Sequence, residues 1–485
     1  MKILSKNGTN LIMLAMKTDT AYKGDYLIIE DERSERKMIV QIYDEEYLSS
    51  QSLIEDIVKD EVVTASSTET LHDPLNIGKL SKMIRDARVF HAKIRAAIDT
   101  SGKLSSDVTW LPSRVYSNIK RLKASELDLF MQRKGSFPIT IGKAAGDNED
   151  FEIYAEDLDG KLNIITGKKE SGKSHLSKIL VKRLIQHGAF VIVFDLNDEY
   201  GGLAWNNDGS PSAIHEQVRV VEPGSGLKFS LGYCGKAAIS NMLKNALDMP
   251  PASLREFFRI WDWLENKQIL EISAFGSAIN TWNINELVRD ALISRYHVIQ
   301  SSRLFSENSN GGEALQFEKI FSRKGKGAAI IIGMGKTAPV VRRMIVELVL
   351  NKLVDLLEKL RIPPIFLFAE EAHMYLRDTY WEDIISRMRH FGIYTTFITN
   401  QPDAIGDGIY RQVDNIFLFH FSNDTDLDKV SKVSLVDSET IRSLVKTLPK
   451  RHCLSIGKVV SDLPIVVGIA QSEVLMLGET KKFFI

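Results

Sequence analysis

The sequence has only two cysteines, Cys234 and Cys453, far apart in a chain of 485 residues. Neither a disulfide framework nor a cysteine-rich zinc site can organise such a fold, and a reducing, cytoplasmic setting is the expectation. Charge of one sign is also missing, because 62 Lys and Arg nearly cancel 63 Asp and Glu for a net charge of -1. That excludes a polybasic, histone-like binder, so any nucleic-acid contact must come from a local basic surface. No window approaches the ~20 uninterrupted apolar residues that cross a bilayer, and residues 1–16 hold neither a long apolar core nor a small-residue cleavage signature. No membrane partner is expected. Internal repeats and low-complexity tracts are absent too.

What remains is the composition of an ordinary globular protein, 44% hydrophobic and 26% charged. At about 150 residues per domain the length points to roughly three domains. The first stretch reads as short strands at Leu11–Met16, Gly24–Glu30 and Lys37–Tyr43, with charged turn residues between the last two. From Leu48 to about Ile98 the apolar spacing turns helical, through Ile54, Ile57, Val58, Leu80, Met83, Ile84, Ala87, Val89 and Phe90. Residues 1–135 are therefore expected to form a small β domain with a helical insertion at about 48–105. Val108–Leu129 clusters Arg114, Lys120, Arg121 and Lys123, which suits a solvated face or a nucleic-acid contact.

From about Phe137 the pattern becomes buried strands alternating with long helices. The strands are expected at Leu162–Thr166, Phe190–Asp195, Ala328–Ile332, Ile365–Ala369, Thr395–Thr399 and Ile416–His420, and the helices at Lys173–His187, Ala338–Leu360 and Tyr380–Phe391. Continuous apolar strands joined by helices signify an α/β domain, residues 136–485, with a mostly parallel sheet and helices on both faces. Between its second and third strands, Leu254, Phe257, Phe258, Ile260, Trp261 and Leu264 mark a helical subdomain at about 235–325, ending in the polar linker Glu307–Glu313.

Gly167-Lys168-Lys169-Glu170-Ser171-Gly172-Lys173-Ser174 matches G-x-x-x-x-G-K-[ST] in full. An apolar strand precedes it and an amphipathic helix follows, which is the context the motif needs. Glycines let the backbone turn successive N–H groups inward, the helix N-terminus adds partial positive charge, Lys173 reaches the β and γ phosphates, and the Ser174 hydroxyl holds Mg2+. Gly167, Ser171, Gly172, Lys173, Ser174 and His175 are the nucleotide-binding candidates. Glu370 and Glu371 end the apolar strand that starts at Ile365. Such a pair offers one acid for the metal shell, assigned to Glu370, and one to orient and deprotonate water, assigned to Glu371; the plainer reading is a helix N-terminus. Asp195, at the end of another strand, should emerge beside the phosphates, or else cap its own turn.

Together the P-loop, Asp195-Leu196-Asn197-Asp198-Glu199-Tyr200, Glu370-Glu371-Ala372-His373, Arg389-His390-Phe391-Gly392 and Thr399-Asn400-Gln401-Pro402 resemble, in order, the HerA group of the HerA/FtsK ATPases. The resemblance covers about residues 137–470, and the β domain before it is similar to the small barrel with which HerA proteins begin. It implies a RecA-like P-loop NTPase core, ATP and Mg2+ as ligands, and a homo-oligomeric ring, hexameric in the family, that pumps double-stranded DNA alongside a NurA-like nuclease or, in antiviral defence, another effector such as a sirtuin-type NADase. By position Arg389 takes the place of the arginine that reaches a neighbour's γ-phosphate, with Arg387 two residues away as its competitor, and Gln401 that of the polar sensor. The chain departs from the family in the charged Lys168-Lys169-Glu170 of its loop and in Asp198, where glycine is usual.

These readings predict an ATP-driven DNA motor. A nucleotide-gated scaffold that switches on a partner enzyme, and a protein-unfolding or secretion motor, share the same phosphate chemistry. DNA-stimulated turnover with a steep salt dependence separates the first from the other two. His373 has no His or Cys at ligand spacing and is expected on a helix surface or in packing. The polar run after Tyr200 and the basic segment Ser322–Lys326 are candidates for DNA contact.

Overall fold

The computed structural model describes residues 1–48, 86–99, 102, 104–131, 133–306, 314–321, 326–375, 387–432, 434 and 436–478. Most of the helical insertion expected at 48–105 lies outside these residues, as do the linker Glu307–Glu313 and most of the helix expected at Tyr380–Phe391. By compactness the chain divides into two units, one of residues 1–135, 140–153 and 418–469, the other of 136–139, 154–417 and those from 470 on.

In the first unit the strands are β1 (Lys2–Asn7), β2 (Asn10–Ala15), β3 (Tyr26–Asp31), β4 (Arg36–Tyr47), β5 (Arg88–Ile98), β6 (Leu104–Ser105) and β7 (Ser117–Leu122). They pair antiparallel in the order β1-β2-β5-β4-β3-β7, with β6 on β5. Among the described residues this path has no pairing between β1 and β7, so the expected barrel is present as a sheet without a closing ladder. Alternate side chains of β2, β3, β4 and β5 make the core, with Leu11, Met13, Leu27, Ile29, Met38, Val40, Phe90 and Ala92 buried. The helical reading of Ala87, Val89 and Phe90 is wrong. Both faces of β5 are largely covered, and the adjacent apolar pair Val89 and Phe90 at its start mimics helical spacing before Phe90–Ala96 settles into alternation. The basic segment resolves into ion pairs, Lys120 with Glu30 at 3.2 Å and Arg121 with Asp25 at 2.9 Å and Asp147 at 2.8 Å, which favours the solvated-face reading. This unit also takes in most of β8 (Pro138–Ala144) and β9 (Asp150–Tyr154).

The second unit is built on β10 (Asn163–Thr166), β11 (Phe190–Asp195), β12 (Val218–Pro223), β13 (Gly226–Leu227), β14 (Ala328–Gly333), β15 (Ile365–Glu370) and β16 (Ile393–Thr399). The order β12-β14-β11-β15-β16-β10 is parallel at every pairing. All residues of β10, β14 and β15 are buried, which is why these strands read as continuous apolar runs. The sequence reading missed β12, because Arg219 and Glu222 interrupt it and only Val221 is buried along its length. Helix α1 (Lys173–Gln186) follows β10, and the inserted helices α2 (Leu231–Asn241), α3 (Pro251–Asn266), α4 (Ile272–Thr281) and α5 (Glu286–Ser301) fall where a helical subdomain is expected. Phe257, Trp261 and Leu264 form the buried stripe of α3, with the Phe257 ring 5.7 Å from Trp261 and 5.4 Å from Phe275. Helix α6 (Pro339–Glu358) precedes β15. Among the described residues no helix is long and apolar enough to cross a membrane.

The parallel pairing has one consequence for chemistry. It brings the carboxyl ends of β10, β16, β15 and β11 to one rim of the sheet and all their amino ends to the other.

Candidate nucleotide-binding site

The P-loop leaves β10 at Thr166 and enters α1 at Lys173. Gly172 sits at φ 122°, a conformation that a side chain would strain, so the last turn before the helix depends on glycine there. Lys173 is buried, and its Nζ donates to the carbonyls of Gly167 at 2.8 Å and Lys168 at 3.0 Å. Burial lowers its pKa while Glu371, Glu370 and Glu199 oppose that shift. The hydroxyl of Ser171 is buried without a hydrogen-bond partner.

One strand separates the P-loop strand from the paired glutamates. β16 lies between β10 and β15, with Thr166 opposite Thr399 and Glu370 opposite Ile398. The tip of β16 therefore stands between the loop and Glu371. Asn400 Nδ2 donates to Glu371 Oε1 at 3.4 Å, and His373 Nδ1 lies 3.0 Å from Thr399 Oγ1 and 3.4 Å from Glu371 Oε2. The backbone N–H of Gln401 donates to Thr399 Oγ1 at 3.0 Å while the residue itself stays exposed. Glu371 is in the left-handed region at φ 45° and ψ 46°, an arrangement that costs about 1–3 kcal/mol in a residue with a side chain and concentrates at functional sites. Asn400 Oδ1 is buried without a hydrogen-bond partner, and Glu371 Oε2 is buried with no hydrogen bond, only the His373 ring near it. Together with Ser171 Oγ these are polar atoms left for something the chain itself does not supply.

Glu370 is 3% exposed, and its Oε2 accepts the N–H groups of Leu196 at 3.1 Å and Asn197 at 3.2 Å. Burial first, and then the neighbouring charge of Asp195, pushes its pKa well above the carboxylate range. Asp195 departs from its expected place. Its two oxygens accept the N–H groups of Glu199 at 3.0 Å and Tyr200 at 2.8 Å, so the side chain ties down its own turn rather than facing phosphate. The turn delivers Glu199, whose carboxylate hydrogen-bonds Ser174 and lies 3.7 Å from Lys178 Nζ.

Lys178 is the residue the sequence reading passed over. Its side chain is 0% exposed, beside the Leu477 carbonyl at 3.4 Å and the Tyr200 ring at 5.7 Å. A lysine inside the apolar stripe Leu176, Leu180, Val181 and Leu184 is the signal that could have exposed it, since a buried ammonium needs an acid. Asn400 and His373 gave no such signal, because only the β16 register brings them to Glu371.

Arg389 is not at this rim. It stands just before β16, at the amino end of the sheet, 45% exposed and 3.4 Å from Asp414. Arg387 is exposed on the same helical turn. The P-loop, Glu370, Glu371 and the Gln401 backbone come together; Arg389 does not join them within one chain.

The donors present suit a hard cation and a polyphosphate: a serine hydroxyl, carboxylates and a glycine loop with its lysine inside. Among the described residues no group of three or more His, Cys, Asp or Glu forms a metal cage. Mg2+ is usually bound through one or two protein oxygens and substrate phosphate.

Residues 139–363 match the family model for the central domain of helicase HerA. The chain is 23% identical over 367 residues to the DNA double-strand break repair helicase HerA of Saccharolobus solfataricus, with 70% of each chain covered. It is 22% identical over 366 residues to the protein of that name from Sulfolobus acidocaldarius, again with 70% of each covered. Of solved structures, VirB4 of Thermoanaerobacter pseudethanolicus is similar with a TM-score of 0.51 at 14% identity, over 70% of this chain and 97% of that one. Plasmid coupling protein TrwB in complex with ADP and Mg2+ is similar with a TM-score of 0.51 at 13% identity, over 73% and 94%. The two structural likenesses bear on the fold, which is that of RecA-like P-loop proteins. The matched segment carries the P-loop and its helix, and in it the chain is similar to the HerA-type P-loop ATPases.

Proposed function

We propose that this ATPase is a ring motor that moves double-stranded DNA, hexameric as the family resemblance implies. Lys173 and the P-loop amides grip the phosphates. Ser174 and Glu370 would hold Mg2+, which when bound would neutralise charge on the phosphates. Glu371 orients and deprotonates the attacking water, held by Asn400 against the tip of β16, where Gln401 senses the γ-phosphate. Asp195 serves by fixing the turn that presents Glu199. Arg389 completes the site of the next subunit, where a cation facing the transferring phosphoryl group lowers the barrier.

The observation that supports this reading is that Arg389 stands at the amino end of β16 and the P-loop at the carboxyl rim, so an arginine in this role would reach the phosphates of another copy rather than its own. A site split in this way works only where two copies meet. A NurA-like nuclease or another effector, such as a sirtuin-type NADase, would then act on the DNA or the signal that the ring delivers.

ATP turnover and solution mass, measured together with and without duplex DNA, test the proposal. The expected result is a ring whose turnover rises with DNA and falls steeply with salt. A chain that stays single and hydrolyses ATP at the same rate with or without DNA overturns it.

A further inference from the structure

At the amino ends of β12 and β14, on the rim away from the P-loop, a cleft of about 640 Å3 is lined by His215, Glu216, Arg219, Lys319, Lys326 and Gly327 among others. Three permanent cations from three separate elements face one carboxylate there, in a chain whose net charge is -1. Arg219, Lys319 and Lys326 are all exposed. His215 is fixed in place: its Nδ1 lies 2.8 Å from the Ala204 carbonyl, which can only accept, so Nδ1 carries a proton. The Trp205 ring stands edge-on to that imidazole at 4.5 Å and is itself 40% exposed.

We infer that this cleft is a DNA site, in which Arg219, Lys319 and Lys326 hold successive backbone phosphates and Trp205 offers a stacking face at its edge. The inference rests on the motor reading for its choice of polymer, and the cleft supplies the rest. A terminal triphosphate is gripped by backbone N–H groups in a glycine loop at a helix N-terminus, as at Gly167–Ser174. Among the described residues the cleft has no such nest: Gly327 is outside the left-handed region, and the cations are flexible side chains. Side-chain cations spread over several elements suit a phosphodiester chain, which asks for repeated point charges rather than one enclosing loop. An exposed aromatic beside cations is the further feature of surfaces that take up bases with little sequence preference. Lys326 also ends the basic segment Ser322–Lys326 that the sequence marked for DNA contact.

The test is fluorescence anisotropy of labelled duplex and single-stranded DNA, titrated with salt, on the full chain. Removing three phosphate contacts in Arg219→Ala/Lys319→Ala/Lys326→Ala should flatten the slope of log K against log salt by about 3 and weaken binding at low salt by on the order of tenfold or more. Trp205→Ala should weaken single-strand binding by roughly fivefold to a hundredfold and leave the salt slope in place. Far-UV circular dichroism and melting check that these exposed substitutions leave the fold intact. If the unaltered chain binds DNA and the triple variant binds it with the same slope and affinity, the cleft is not the site and the motor reading stands. If the unaltered chain binds no DNA at low salt, both fall together, and the motor reading is the one at fault. Displacement of bound DNA from Lys173→Ala chains by millimolar AMP would reassign the cleft to small nucleotides and overturn the inference.

Discussion

At the carboxyl rim of the parallel sheet, Asp195, Glu370 and Glu371 close around Lys173 and Lys178, and both lysines are buried. At the amino rim Arg219, Lys326 and Arg389 are all exposed. The sheet thus carries buried acids and lysines together at one rim and exposed cations at the other. Charges taken out of water must be paired, and their fields then act at short range with little screening. Charges left in water are screened within about 10 Å at ordinary salt and serve contact with something that arrives from outside. The first arrangement suits bond breaking, the second recognition.

Arg389→Ala is the severest test of the division between rims. In an assembled ring turnover should fall by on the order of 10^3, while nucleotide affinity measured on unassembled chains stays unchanged. Mixing Arg389→Ala chains with Glu371→Gln chains should restore a share of the activity, because some seams then combine an intact Glu371 with a neighbour's intact Arg389. If the mixture stays dead, Arg389 acts within its own chain; if Arg389→Ala alone keeps its turnover, Arg387 holds the role. Glu371→Gln alone should cost 10^2- to 10^4-fold in turnover, roughly the range for losing a general base, with ATP binding retained in a filter or fluorescence assay. Unaltered turnover in that variant would return the glutamate to the plain role of a strand-end acid.

The carboxyl rim was largely legible in the sequence and the amino rim was not, for physical reasons. A P-loop has few solutions, so Gly167–Ser174 announces itself by residue type and spacing, and β10, β11, β14, β15 and β16 are buried enough to read as unbroken apolar runs. β5 took a helical reading from the close-set Ala87, Val89 and Phe90, although Phe90–Ala96 alternates apolar and polar as a strand does. Exposed β12 failed in the opposite way, with charged residues breaking its pattern. Asp195 was placed by strand-end position alone, which says where a side chain emerges but not that the backbone of its own turn will claim both oxygens. The cleft at the amino rim joins residues about a hundred positions apart, Arg219 with Lys319 and Lys326, and only the pairing of β12 with β14 explains their meeting.

Lys178 sharpens the rule that a buried charge at the carboxyl rim is there for its partner. In Lys178→Met the Glu199 carboxylate would stay buried with its cation gone, 3.7 Å from an apolar group, and breaking a buried pair in this way costs about 3–5 kcal/mol. Lys178→Met/Glu199→Gln should regain most of that loss, as read from the urea midpoint. Equal destabilisation in the single and double variants would mean that Lys178 matters for packing against Leu477 and Met476 rather than for the acid.

Glu347 on α6 gives the counter-example, a buried carboxylate away from both rims. It is 5% exposed, and its Oε2 accepts from the amides of Asn245 at 3.3 Å and Asn351 at 3.2 Å. Burial pushes its pKa up to about 7 against the two amides. A carboxyl group that holds its proton more tightly when folded than when unfolded does not penalise the fold below about pH 4.5, and penalises it increasingly as pH climbs to about 7. The penalty at pH 8 is on the order of 3 kcal/mol at most. Glu347→Gln removes the titration and keeps the amide contacts possible, so it should raise Tm by a few degrees at pH 8 and hardly change it at pH 5. A variant whose gain is the same at both pH values would show that Glu347 is ionised in the folded chain throughout, and that a buried acid in this fold can dispense with the lysine that Glu199 has.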